Sequence, residues 1–172
     1  MDTLIPSARE ILREMKKTFR RLFLLGFFLL CVSARAAQLA VGDAVPAIVA
    51  NDQHGTGFQF TNGVRFLLVA TEMGCSKAAN QKLAAAGAGF LDQHHAAYLV
   101  DIHTMPAVAR VFALPTLRKY PHRIVLVETA DALAAFPAQP GRVTVLALTP
   151  AKRIQKISYW NPAREPLAGF LE

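Results

Sequence analysis

The chain has 172 residues, 53% of them hydrophobic and 18% charged, with 19 Lys and Arg against 12 Asp and Glu for a formal charge of +7. Seven of those basic and three of those acidic residues precede Ala37, which leaves twelve against nine, or +3, in the rest of the chain. Past that point only Arg118-Lys119 and Lys152-Arg153 are adjacent basic pairs, so no basic stripe marks a nucleic-acid-binding face, and no repeat, low-complexity tract or Gly/Ser-rich linker divides the chain.

Residues 1–36 read as a secretory signal peptide. Lys16, Lys17, Arg20 and Arg21 form a basic n-region, and residues 22–32 an apolar h-region. That run is shorter than the ~20 residues a membrane-spanning helix needs. Ser33-Ala34-Arg35-Ala36 places small residues at the −3 and −1 sites, which puts cleavage after Ala36. Met15 suits the start of such a leader better than Met1, so residues 1–14 read as an upstream extension. The remaining residues 37–172 suit one domain able to bury a core. The short leader points to a bacterial periplasm, with membrane contact only in transit.

That space is oxidising. Cys31 lies in the h-region and leaves with it. Leu30 precedes it where lipidation needs a small residue, so no lipid is expected there. Cys75 is then the one remaining cysteine and has no internal disulfide partner. It is buried and inert, free and reactive, or paired with another molecule.

In chain order, Val41-Gly42-Asp43-Ala44-Val45-Pro46 is an extended opening, since a proline biases the residue before it away from helix. Residues 48–50 and 57–60 read as short strands around the turn Asn51-Asp52-Gln53-His54-Gly55. The apolar run 66–70 reads as a buried central strand. From Ser76, the residues Ala79, Leu83, Ala86 and Phe90 recur at helical spacing, giving a helix to about Leu91, loosened by Gly87 and Gly89. Residues 97–102 are the next strand. Pro106 suits the first turn of a helix that carries Val108, Val111 and Phe112 and is interrupted at Pro115. Residues 124–127 form a third buried strand, and 131–136 a short helix. Residues 142–148 and 153–160 pair as a hairpin around 149–152. Asn161 caps, and Pro162 opens, a last helix with Leu167, Phe170 and Leu171 on one face. Alternating strands and helices argue for an α/β fold.

Cys75 stands where the first central strand turns into its helix. The helix dipole there lowers a thiol pKa, Lys77 supports that effect and Glu72 opposes it. A single thiol can attack a disulfide or a peroxide, but it needs an external partner to complete a dithiol cycle. The plainer reading is a small residue filling space at the strand end. His54, His94, His95, His103 and His122 form no His-x-x-x-His pair and meet no carboxylate at a ligand-specifying spacing, so no metal and no cofactor are expected. His103 follows a strand at the carboxyl edge, where open α/β sheets bind ligands. It is either a base toward Cys75 or a plain loop residue. Asp101 either caps the following helix or lines a site. Tyr159 and Trp160 read as packing.

The order of these elements, with these residues, resembles the thioredoxin-like superfamily, and within it the secreted thioredoxin-like and peroxiredoxin-like branch (AhpC/TSA and TlpA types), over residues 41–171. The opening through Pro46, the turn through Gly55, the strand 66–70 and Tyr159-Trp160-Asn161 carry the likeness. It implies a central, mostly parallel sheet with a C-terminal antiparallel hairpin and helices on both faces. It also implies that Pro140, before the hairpin, is the family's cis-proline. The family pattern after the core strand is Ala-Thr-Trp-Cys-x-x-Cys, and here it reads Ala70-Thr71-Glu72-Met73-Gly74-Cys75-Ser76. Met73 takes the attacking position and Ser76 the resolving one, with Cys75 one residue short, so Met73, Gly74 and Ser76 make a degenerate motif. No Pro-x-x-x-Thr-x-x-Cys of the peroxiredoxin type is present. These features imply an exported thioredoxin-fold protein that has lost dithiol oxidoreductase activity and acts as a binding or interaction module on a periplasmic protein or thiol partner. The alternative is a one-cysteine thiol-disulfide reductase or thiol peroxidase using Cys75.

Overall fold

Runs of apolar residues without polar alternation need cover on both faces, and three such runs build the centre of the sheet. The computed structural model describes residues 37–60 and 63–172. The leader, its start, its cleavage site and Cys31 lie outside them. The strands are β1 (Ala50–Asp52), β2 (Gly57–Phe58), β3 (Phe66–Ala70), β4 (Ala96–Asp101), β5 (Val125–Val127), β6 (Val143–Leu148) and β7 (Ile154–Trp160). They form one seven-stranded sheet in the order β2-β1-β5-β4-β3-β6-β7. β3 and β5 run parallel to β4, whereas β6, β7, β1 and β2 add antiparallel flanks. The parallel part expected of the sheet is thus its centre. As expected, β3, β4 and β6 share it, Leu68 lying opposite Tyr98 on one side and Val145 on the other.

Successive side chains of β3 point to opposite faces. Phe66, Leu68 and Ala70 meet α1 (Met73–Ala86) through Cys75, Ala79 and Leu83, together with Trp160, Leu167 and Leu171. Leu67 and Val69 meet Val45, Ile48, Leu133 and Phe136 on the other face. At ~25 cal/mol per Å² of buried apolar surface, this double cover is the main stabilising term.

Two short helices complete the fold, α2 (Phe90–Gln93) and α3 (Ala107–Leu117). The helix expected from 76 to 91 is split because Gly87 sits at φ +103°, a conformation that ends α1 at a glycine. The helix expected over 131–136 is only a 3-10 turn at Ala130–Ala132. The expected last helix is also absent. Asn161 does cap a turn, its Oδ1 accepting the Ala163 N–H at 3.1 Å while Glu165 Oε2 accepts the Asn161 N–H at 2.8 Å. Pro166 then stops it, because a proline disfavours helix in the residue before it. Leu167 and Leu171 still reach the core from the following segment, where Ala168–Phe170 is one 3-10 turn.

Candidate functional site

The turn from β3 into α1 starts the helix at Met73, three residues before the expected Ser76. Gly74 at the second helical position breaks the apolar spacing that would have shown the earlier start. Glu72 holds the cap position with extended backbone, yet its carboxylate does not cap α1. Glu72 Oε2 instead accepts the Gly141 N–H at 2.9 Å, tying the loop before β6 to the head of the helix. The Glu72 carbonyl accepts the Ser76 N–H at 3.0 Å and lies 3.2 Å from Cys75 Sγ, whose thiol donates to it.

This start rotates the three motif residues into different environments. Met73 is 63% exposed, whereas Cys75 is 5% exposed and packs in the core beneath the helix. Ser76 is buried beside it, with the Tyr98 hydroxyl 3.3 Å from its Oγ. Burial pushes the Cys75 thiol pKa up, and the Glu72 carboxylate adds to the rise, although backbone hydrogen bonds pull the other way. Desolvation therefore outweighs the helix dipole. A thiol that is both buried and raised in pKa is a poor nucleophile. Cys75 is expected to resist a thiol-specific alkylator at pH 6 in the native protein and to react once denatured. Rapid labelling of the folded protein at that pH would contradict this geometry.

Pro140 does not carry the expected cis bond, since every described peptide bond is trans. The physical reason is its place in the turn. Gln139-Pro140-Gly141-Arg142 closes with the Arg142 N–H donating to the Gln139 carbonyl at 3.2 Å, and Gly141 takes φ +69°. Proline at the second position and glycine at the third is type II turn chemistry, whereas a cis-proline takes the third position of a type VI turn.

At the carboxyl ends of the parallel strands, Asp101 and His103 form a pair. Asp101 Oδ1 accepts the His103 backbone N–H at 3.0 Å and lies 2.6 Å from His103 Nδ1. Asp101 therefore orients His103 and does not cap α3, whose cap residue is Pro106. Arg110 Nε donates to the Met105 carbonyl at 2.9 Å, and Nη2 to those of Ile102 and His103 at 3.0 and 3.2 Å. No described hydrogen bond joins His103 to Cys75. His94 stacks on Phe90 with ring centroids 4.6 Å apart, and among the described residues no three His, Cys, Asp or Glu side chains gather as a metal site. Trp160 is fully buried and donates its Nε1–H to the Glu165 carbonyl at 3.0 Å, so it serves the core.

One feature escaped the sequence, a polar seam under α1. Asn80 and His122 are both buried, with Oδ1 and Nε2 3.0 Å apart. Gln53, also buried, donates from Nε2 to the His122 carbonyl at 2.8 Å and accepts the Ile124 N–H on Oε1 at 2.8 Å. These partners lie tens of residues apart in sequence, so no spacing announces them.

No family model matches the chain, and no curated protein matches it. Solved structures do. The thioredoxin domain of a thiol-disulfide oxidoreductase from Bacteroides vulgatus aligns with TM-score 0.52 at 13% identity, over 78% of this chain and all of its own. Peroxidoxin BcpB from Mycobacterium tuberculosis aligns with TM-score 0.51 at 16% identity, over 77% of this chain and 97% of its own. A peroxiredoxin-like protein from Aquifex aeolicus aligns with TM-score 0.51 at 12% identity, over 77% and 83%. With the sheet order and the strand-to-helix turn described above, these likenesses establish that the chain has the thioredoxin-like fold.

Proposed function

We propose that the chain is an exported thioredoxin-fold protein that has given up dithiol chemistry and works in the periplasm as a binding or interaction module on a protein partner. The observation that carries this reading is the exchange of roles at the head of α1. The exposed first helical position, where an attacking thiol has to stand to meet a substrate, holds Met73, and the thiol of Cys75 is turned into the core. A dithiol cycle needs two sulfurs in reach of each other, and Cys75 is the lone cysteine after the leader. The basic and apolar leader supports export.

The test is catalytic. The purified protein is expected to leave insulin disulfides and hydrogen peroxide at their uncatalysed rates, with Cys75→Ser indistinguishable from the native chain. Turnover of either substrate that disappears in Cys75→Ser would overturn the reading in favour of a one-cysteine reductase or peroxidase. Export is checked separately, by a mature N-terminus at Ala37 in the periplasmic fraction.

A further inference from the structure

Helix α3 crosses between β4 and β5 and turns Ala113, Leu114 and Leu117 toward the core, yet none of its residues is fully buried. Its outer side is uncharged and apolar. Val108, Val111 and Phe112 are 71%, 67% and 74% exposed, three of the six large hydrophobic side chains exposed among the described residues. They recur at the spacing of one helix face. The one charged side chain within the helix, Arg110, is withdrawn from that face to the carbonyls at its amino end.

The two ends of the strip differ in sign. Arg118 and Lys119, both exposed, follow the helix directly. Glu128 marks the other end. Its Oε2 lies 3.5 Å from Arg110 Nη1, and the same guanidinium binds the carbonyls of Ile102, His103 and Met105, so Glu128 stands level with the turn before α3. Its side chain is 62% exposed.

We propose that α3 is a self-association surface, on which a second copy of this chain lays its own α3 antiparallel across a two-fold axis near Val111 and Phe112. In that arrangement the apolar strips cover each other, and the Arg118-Lys119 end of each copy meets the Glu128 end of the other. One patch serves both partners, as an isologous contact requires. Charge decides for this occupant over a membrane surface, because an anionic bilayer attracts Arg118 and Lys119 but repels the exposed Glu128. The contact centres on one short helix, so its area is below the standard ~800 Å² per partner and its affinity belongs to the weak, micromolar class. The inference stands apart from the redox reading above.

Sedimentation of the purified full chain from low to high micromolar concentration tests it. A reversible monomer–dimer equilibrium is expected. Phe112→Glu changes a side chain that points to solvent, so the fold survives, and the dissociation constant is expected to rise at least ~10-fold, as for a central interface residue. Glu128→Lys and Lys119→Glu are each expected to weaken association several-fold. Their combination is expected to return it to within about twofold of the native value, since the swapped charges face each other again. A monomer at every concentration, a dimer indifferent to Phe112→Glu, or single reversals that the double variant does not rescue would each overturn the proposal. So would a monomer that co-sediments with phosphatidylglycerol vesicles through the same face.

Discussion

The variant Met73→Cys/Cys75→Ala/Ser76→Cys is expected to gain a disulfide-reducing activity that the native chain lacks. The two introduced thiols stand three residues apart at the head of α1. Side chains at that spacing are neighbours on a helix, roughly 5–6 Å between Cβ atoms. A slight closing of the first turn brings them to the ~4 Å that a disulfide needs. Their environments also differ in the required sense. Position 73 is exposed at the first helical residue, where the partial positive charge of the helix end stabilises a thiolate. Position 76 is buried behind it, placed to resolve a mixed disulfide. Glu72 opposes ionisation at 73, so adding Glu72→Gln is expected to raise activity further. Losing the Ser76 hydroxyl costs little, since its 3.3 Å approach to Tyr98 is long for an O–H···O bond. Insulin precipitation in dithiothreitol should accelerate by at least ~10-fold over the native chain, given the thiolate fraction such a site supplies. If the introduced pair oxidises to a disulfide but insulin reduction does not rise, the head of α1 does not face a substrate surface, and the parallel with a dithiol site fails.

The same residues show where sequence suffices and where it stops. β3, β4 and β5 were legible because a strand buried on both faces must be apolar throughout, and residues 66–70 admit no other reading. The hairpin β6–β7 was legible from its turn. The head of α1 was misplaced by three residues, because a helix start is decided by backbone hydrogen bonds, and Gly74 hides it from any periodicity. That shift matters for the site. It carries Cys75 from just outside the helix to its third residue, and so from a reactive position to a packed one. The last helix failed on Pro166, which local spacing of Leu167, Phe170 and Leu171 concealed. Pro140 failed because the glycine after it selects a different turn. The polar seam was invisible for another reason. Gln53, Asn80 and His122 meet only after β1, α1 and β5 have assembled, and each alone looks like an ordinary polar residue.

That seam sets the acid limit of the fold. His122 is 2% exposed, lies between the rings of Tyr98 and Tyr120 at 6.1 and 5.5 Å, and offers Nε2 to Asn80. Its Nδ1 is the one buried side-chain nitrogen or oxygen without a hydrogen-bond partner among the described residues. When the Nε2–H donates to Asn80 Oδ1, Nδ1 holds a bare lone pair, and the tautomer follows from that pairing. Protonation would then place a second N–H, and a full charge, where neither acceptor nor carboxylate waits. Burial accordingly lowers the His122 pKa from 6.5 to about 4. The folded value lies below the unfolded one, so the unfolded chain takes up the proton first as pH falls. Stability is complete above about pH 6.5 and is lost progressively toward pH 4. Each pKa unit is worth about 1.4 kcal/mol, so the loss is on the order of 2–3 kcal/mol. Asp52, whose carboxylate is held below its usual value by the His54 and Thr56 backbone N–H groups and by Arg123, loses its contribution only at lower pH. The two effects therefore separate. Urea unfolding at pH 7 and pH 4.5 is expected to show a marked drop in the native chain. His122→Gln keeps a donor for Asn80 and cannot titrate, so it should be less stable at pH 7 and nearly flat across that interval. A variant that retains the full acid sensitivity would place its origin elsewhere than in this histidine.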